Sequence, residues 1–399
     1  MSEKTSGADA TAMSRRKVII AGASLAAAPL LGAAGASIAE AAEPAPLKGP
    51  FTVRAYGTKG VKAGFAPMQI QRRAVGPRDV LIDIEYAGVC HSDIHIARSE
   101  WSETPYPCVP GHEIVGKVAA VGSEVKKFKV GDYAGVGCMV DSCGDCENCL
   151  ADREQNCLKG TTFIYSSPDK VSGGMTYGGY SERIVVAEHF VIRMPPGADL
   201  AAMTPLLCAG VTTFSPMQHW NLKPGQRVAV IGLGGLGHLA VKLGVARQAE
   251  VTVFTTSPGK LADAKQMGAH DAFLWSDKVA FERLANHFDL IISTVPQAYP
   301  MQQFVDLLKL DATFVNVGVL DDLSSLNGML IAVGRKTFAG SLIGGIAETQ
   351  KVVDYCAARN ITADIERIKP EQLDQAYERV MNKDVRYRFV IDFASTRKP

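Results

Sequence analysis

Arg227-Val228-Ala229-Val230-Ile231-Gly232-Leu233-Gly234-Gly235-Leu236-Gly237 is a strand running into a glycine turn, and the helical His238-Leu239-Ala240-Val241-Lys242-Leu243 follows it. Glycines in this order are common by chance; a strand before and a helix after give them meaning. Gly232 permits the tight turn, Gly234 lets a pyrophosphate approach the backbone beside Gly235 and Leu236, and Gly237 lets the helix pack closely. The helix N-terminus adds free N–H groups and partial positive charge for phosphates. A dinucleotide site is the reading, with a purely structural glycine turn as the alternative.

Further on, Val251-Thr252-Val253-Phe254-Thr255-Thr256-Ser257-Pro258-Gly259-Lys260 has no carboxylate where an NAD-preferring site holds the ribose 2′-hydroxyl. Hydroxyls from Thr255, Thr256 and Ser257, with the Lys260 ammonium, suit a 2′-phosphate that a carboxylate would repel. NADP(H) is therefore the predicted cofactor, unless an acid reaches in from elsewhere.

Around this centre the chain changes rhythm. From 209 to 342, strand-like runs at 227–231, 250–254, 289–293, 312–317 and 337–342 alternate with helical patterns, which predicts βαβ units and a parallel sheet. Before it, from about 51 to 200, Pro, Gly and Asp punctuate short strands such as 80–86, and 113–122 looks like two strands broken at Gly116. This predicts a mainly β domain over 42–208. The tail, 343–399, is helical in pattern from 349 to about 382 and ends in a strand at 386–392. The fold class expected is α/β, a doubly wound parallel sheet joined to a mainly β domain.

Composition limits the function. The chain is 47% hydrophobic and carries 42 Lys plus Arg against 41 Asp plus Glu, so it is neither a disordered chain nor one built around nucleic-acid phosphates. Ser14-Arg15-Arg16-Lys17 precedes an uncharged stretch, 18–39, and Ala39-Glu40-Ala41 offers a small-x-small cleavage site. Paired arginines before a mild apolar segment resemble a bacterial twin-arginine signal over 1–41, with a membrane anchor as the other reading. Cleavage after Ala41 removes Lys4, Arg15, Arg16 and Lys17 together with Glu3, Asp9 and Glu40, leaving a formally neutral protein with no net attraction for nucleic acid. The expected partner is then the twin-arginine export machinery, and the expected location is periplasmic or otherwise exported. That route carries folded proteins, so thiolates could be metallated before meeting an oxidising compartment.

Five of the nine cysteines crowd into 138–157. Cys143-x-x-Cys146-x-x-Cys149 with Cys157 brings four thiols to one point, which suits a closed, structural Zn²⁺ site; an iron–sulfur cluster and disulfides are the rivals. Cys108, Cys138 and Cys356 read as buried small hydrophobes. Cys90, His112 and Cys208 are scattered, and taken singly each is a buried thiol or a satisfied histidine as readily as a ligand.

The motifs Gly88-Val89-Cys90-His91-Ser92-Asp93-Ile94-His95, Pro110-Gly111-His112-Glu113, Leu206-Leu207-Cys208-Ala209-Gly210-Val211-Thr212, the four-cysteine lobe, the glycine turn, Gly344-Gly345 and Tyr387-Arg388-Phe389-Val390-Ile391-Asp392 occur in one order. Over roughly 51–393 the chain resembles zinc-dependent medium-chain alcohol dehydrogenases, in the cinnamyl-alcohol-dehydrogenase-like branch of NADP-dependent aldehyde reductases. The resemblance implies a GroES-like catalytic domain made of both chain ends, with a Rossmann domain inserted at 209–342, and a homodimer. It implies two zincs per chain, the catalytic one on Cys90, His112 and Cys208. Glu113 is then the carboxylate beside the metal, and Asp93 orients His112. Ser92 and His95 form the proton relay, Thr212 contacts the nicotinamide, Arg388 the pyrophosphate, and Trp101 walls the substrate pocket. The implied activity is hydride transfer between NADP(H) and primary alcohols or aldehydes, mainly aldehyde reduction. Two other readings are an exported dismutase carrying its own bound nicotinamide and a non-catalytic dinucleotide-binding protein. A third is a zinc-independent enone reductase, which needs neither Cys90 nor Cys208.

Overall fold

Alternation along the strand Arg227–Ile231 sends Val228 and Val230 into one apolar cluster and Ala229 and Ile231 into another. A strand apolar on both sides must be covered on both sides, as in doubly wound sheets. The computed structural model, which describes residues 49–318 and 322–396, has that architecture. The expected leader, 1–41, lies outside the described residues.

Six parallel strands form this sheet, in the spatial order Asp271–Leu274, Glu250–Thr255, Arg227–Ile231, Phe288–Ser293, Leu308–Asn316, Thr337–Gly340. In chain order this is 3-2-1-4-5-6, and the order of strands across the sheet reverses between Arg227–Ile231 and Phe288–Ser293, where such sheets open a ligand crevice. The strand Asp271–Leu274 is an addition to the sequence reading. It is four residues long, lies at the sheet edge and is only half-buried, so it lacks the long apolar run that marks its neighbours.

The second sheet joins the two ends of the chain. Asp79–Gly88 pairs antiparallel with Ile114–Val121 and also with Arg388–Asp392, through Val390 opposite Gly88. Ile114–Val121 is one strand, not two. A Cβ at Gly116 would lie 2.1 Å from the Asp83 carbonyl, so the glycine admits the neighbouring backbone and does not break the strand. The tail is also corrected: helices Ile346–Ala357 and Leu373–Met381 flank a strand, Ile365–Ile368, parallel to Arg388–Asp392. Among the described residues no single helix is long and apolar enough to cross a membrane.

Candidate active site

Asp93 organises the first half of the site. Cys90 caps the helix His91–Ala97, and the Asp93 carboxylate folds back to accept the Cys90 N–H at 2.9 Å, as a capping box requires. The same buried carboxylate accepts the Gly111 N–H at 3.0 Å, His112 Nδ1–H at 2.9 Å and the Tyr180 hydroxyl at 3.1 Å. With Nδ1 donating to Asp93, His112 Nε2 is the nitrogen with a free lone pair. It is buried and has no hydrogen-bond partner.

What faces that lone pair is a pair of thiols. Cys208 enters at the start of the helix Ala209–His219, and ligand atoms of Cys90, His112, Glu113 and Cys208 all lie within 4.8 Å of one another, every residue buried. The Cys90 thiol is held well below its usual range by hydrogen bonding with Cys208 and by His112, while Cys138 and Cys90 push Cys208 up. Two sulfurs and one imidazole nitrogen, with a buried orphan atom among them, are the donor set of an open tetrahedral zinc site. Cys138, expected to be a buried bystander, is only half-buried and lies against Cys208.

Glu113 is fully buried, and both its oxygens accept Arg388 Nη2, at 2.6 and 2.7 Å. Burial outweighs that cation and pushes the carboxyl up to about 7. Arg388 also donates to the Val89 carbonyl, while its Nη1 is buried and unpartnered. Nη1 sits beside the glycine turn, for a Cβ at Gly235 would lie 2.7 Å from Arg388 Cδ.

That turn has the geometry its sequence demands. Gly232 has φ +91°, and a Cβ at Gly237 would lie 2.0 Å from the Gly232 carbonyl. Nothing approaches within 4 Å of where a Gly234 Cβ would stand, so the backbone there is open to a phosphate. A cleft of about 160 Å³ joins the turn to the thiols, lined by Cys90, Ser92, His95, Trp101, Cys208, Thr212, Leu236 and Arg388 among others. The Thr212 N–H bonds the Cys208 carbonyl at 2.9 Å, and one helical turn places both side chains on the cleft. The Thr212 hydroxyl is the third buried orphan at the cleft. Ser92 Oγ lies 4.0 Å from Cys90 Sγ. His95 Nδ1 bonds Glu100 at 2.6 Å, and its ring stacks on Trp101 with centroids 4.7 Å apart.

An adjoining cavity of about 240 Å³ continues past the turn to Thr255, Thr256, Ser257 and Lys260. The Thr255 hydroxyl faces inward and accepts the Ser257 N–H at 3.2 Å, so Thr256 and Ser257 offer the free hydroxyls. Lys260 is buried, and its Nζ donates to the Leu233 carbonyl at 2.9 Å.

Comparison with known proteins agrees with this geometry. Residues 76–196 match the alcohol dehydrogenase GroES-like domain and 235–358 the zinc-binding dehydrogenase domain. The chain is 49% identical over 347 residues to the NADP-dependent alcohol dehydrogenase C 1 of Mycolicibacterium smegmatis, covering 87% of this chain and 99% of that protein. The aldehyde reductase YahK of Escherichia coli is 48% identical, covering 85% and 98%. The crystal structure of the cinnamyl alcohol dehydrogenase of Helicobacter pylori, complexed with NADP(H), superposes with a TM-score of 0.82 at 41% identity, covering 86% and 99%. The chain belongs to the zinc-dependent medium-chain alcohol dehydrogenases.

In this dehydrogenase the four-cysteine lobe forms a second cluster. Cys143, Cys146, Cys149 and Cys157 bring their sulfurs within 4.8 Å of one another, with Cys143 and Cys149 at 3.8 Å. A tetrahedron with Zn–S of about 2.3 Å sets sulfurs about 3.8 Å apart. All four thiols are free, so the disulfide alternative falls, and the space between them is too small for a multi-iron cluster. Backbone N–H groups of Cys149 and Leu158 hold Cys146 down to about 6, which favours thiolate. The lobe is tied to the body by the buried Glu154, whose Oε2 accepts the Ile346 N–H at 3.1 Å and whose Oε1 bonds His189 at 2.7 Å.

The sequence reading missed several residues of this cleft. His91 lines both cavities, as do Val380 and Lys383 from the far end of the chain, and Glu100 holds His95. His91 stood next to a predicted ligand and Glu100 next to Trp101; Val380 and Lys383 carry no local signal, because only the return of the tail brings them there.

Proposed function

We propose that the protein is a zinc- and NADP(H)-dependent alcohol dehydrogenase that works mainly as a reductase of small or aromatic aldehydes. The observation that carries this is the meeting of three buried, unpartnered polar atoms, His112 Nε2, Thr212 Oγ1 and Arg388 Nη1, with the Cys90 and Cys208 thiols around one cleft. Buried polar atoms are almost always partnered, so three orphans mark missing ligands. Cys90, His112 and Cys208 would hold the catalytic zinc, Arg388 and the glycine turn the pyrophosphate, Thr212 the nicotinamide, and Thr256, Ser257 and Lys260 the 2′-phosphate end.

When bound, zinc supplies Lewis acidity at the substrate oxygen and NADPH supplies the hydride. Asp93 fixes the His112 ring and tautomer, so its lone pair is pre-aimed. Ser92 holds the proton destined for the substrate oxygen. His95 replenishes it, its Nδ1 taken by Glu100 so that Nε2 serves the relay. Trp101, Leu342 and Ile343 give the cleft an apolar wall that suits an apolar substituent on the aldehyde. Metal analysis with parallel NADPH and NADH assays tests the reading. About two zincs per chain and preference for NADPH are expected, and a metal-free protein turning over equally well would sink it. Cys90→Ser should abolish turnover and spare NADPH binding, which separates an enzyme from a non-catalytic nucleotide carrier.

We also propose that residues 1–41 direct export by the twin-arginine route. The support is the leader's own sequence, paired arginines before an uncharged stretch and a small-x-small site. Arg15→Lys with Arg16→Lys should retain the protein in the cytoplasm; continued export of that variant would end the idea. Folded export would carry NADP(H) along, making an alcohol–aldehyde dismutase possible, and exported protein free of nicotinamide would exclude that version. The family's pairing as homodimers is proposed here through the edge strand Thr337–Gly340 and the adjoining helix Gly328–Val333, where Met329 and Val333 are over two-thirds exposed. Val333→Glu should yield monomers by light scattering, and an unchanged mass would place the contact elsewhere.

A further inference from the structure

The predicted 2′-phosphate cation, Lys260, is not free to swing. Its ammonium is buried, donates to the Leu233 carbonyl in the glycine turn and lies over the Tyr387 ring at 5.3 Å. Its immediate work is to brace the turn. A dianionic phosphate at the open hydroxyls of Thr256 and Ser257 calls for a cation on the accessible side as well.

One is present. Lys383, just past the helix Leu373–Met381, lines both the cleft and the adjoining cavity that holds Thr256, Ser257 and Lys260. It belongs to the returning tail, on the opposite wall from the nucleotide-binding strands. Its side chain is exposed, and among the described residues its ammonium has no ion pair or hydrogen-bond partner. The carboxylates nearby are committed: Asp384 to Arg379 and Asp263 to Arg386. Burial lowers the Lys260 ammonium, Arg386 and Lys383 lower it further, and Asp263, already paired with Arg386, offsets them only in part, so positive charge gathers at this rim. Lys383 also has φ +60°, a conformation where glycine or asparagine is the easy choice after a helix. A lysine tolerated there fits a functional reason for the side chain.

We propose that Lys383 supplies the ammonium that pairs with the 2′-phosphate of NADP(H), so that cofactor choice is read from both walls of the cleft. This rests on the NADP(H) reading above and adds to it a residue of the catalytic domain. Binding the 2′-phosphate then links the tail to the nucleotide domain, whereas NAD(H) offers no such bridge.

The test is calorimetric binding to the zinc-loaded protein, with adenosine 2′,5′-bisphosphate and adenosine 5′-monophosphate as probes. The wild type should favour the bisphosphate. Lys383→Gly, comfortable at positive φ, should shrink that preference about ten- to hundredfold, the worth of one charge-assisted contact, and Lys383→Arg should keep it. Lys260→Met should weaken both probes by loosening the turn, and the bisphosphate the more because Lys260 also faces the 2′-phosphate. A wild-type ratio retained in Lys383→Gly would overturn the assignment, most pointedly if Lys260→Met alone abolished it. A wild type without any preference would overturn the NADP(H) reading itself, and the role of Lys383 with it.

Discussion

Removing Arg388 tests the centre of the molecule. Its guanidinium pairs with both oxygens of a carboxylate from which water is excluded, and it also holds the Val89 carbonyl. Arg388→Met keeps much of the stem volume but leaves Glu113 as an uncompensated charge beside Cys90. Breaking a buried pair from one side costs about 3–5 kcal/mol, and the orphaned Val89 carbonyl adds about 1–3 kcal/mol. Glu113→Gln alone strands the arginine. Together the two substitutions remove the pair, and only the Val89 contact is still lost. Each single carries the pair penalty of about 3–5 kcal/mol and the double does not, so a double-mutant cycle should show a coupling energy of at least about 3 kcal/mol, the double variant being more stable than the sum of the singles predicts. The assay is urea unfolding of all four zinc-saturated proteins, followed by circular dichroism and tryptophan fluorescence with coincident transitions required. Additive effects, with coupling under about 0.5 kcal/mol, would refute the claim that these two charges depend on each other.

Three further outcomes are expected. Burial beside Lys242 and Arg388 holds His238 down to about 3, so the folded protein keeps it neutral while the unfolded chain protonates near its usual value of 6.5. Between about pH 6.5 and 3 the unfolded state binds more protons, and stability should fall with pH by up to about 1.4 kcal/mol per unit; His238→Gln should flatten that slope in urea midpoints, and an unaltered slope would assign the acid sensitivity elsewhere. Gly237→Ala puts a methyl into the Gly232 carbonyl and should weaken NADPH binding more than about tenfold by fluorescence titration, so retained affinity would contradict the close turn. Cys157→Ser should lower bound zinc from two to one per chain and raise cleavage of the 138–157 lobe by protease; two zincs in that variant would mean another ligand completes the lobe.

How much could be read from the chain depended on whether the signal was local. The strand–turn–helix at 227–243 and the close-set cysteines at 143, 146, 149 and 157 carry their geometry in their spacing, and the structure places both as such. Cys90, His112 and Cys208 have no such spacing; only whole-chain resemblance joined them, because a β-domain pairing and a distant helix start bring them together. Gly116 misled, since a glycine that admits a neighbouring strand looks like one that ends its own. The strands Asp271–Leu274 and Ile365–Ile368 are too short and too mixed to show a period of two. Lys383 was invisible for the simplest reason: a lone exposed lysine has no pattern, and its position across from Ser257 exists only once the tail has returned.

Cys208 stands one residue before the helix that opens the nucleotide-binding half, whereas Cys90 and His112 belong wholly to the other half. An ion gripped by all three is therefore a pin through the joint. Any swing of one half against the other turns about that pin, so displacement grows with distance from it. A point beside the axle would move least in such a swing, and Lys383, farther along the same cleft, would move more. Substitutions beside the three ligands would then disturb the alignment at the ion, and those farther along the cleft the grip on the nucleotide's outer end.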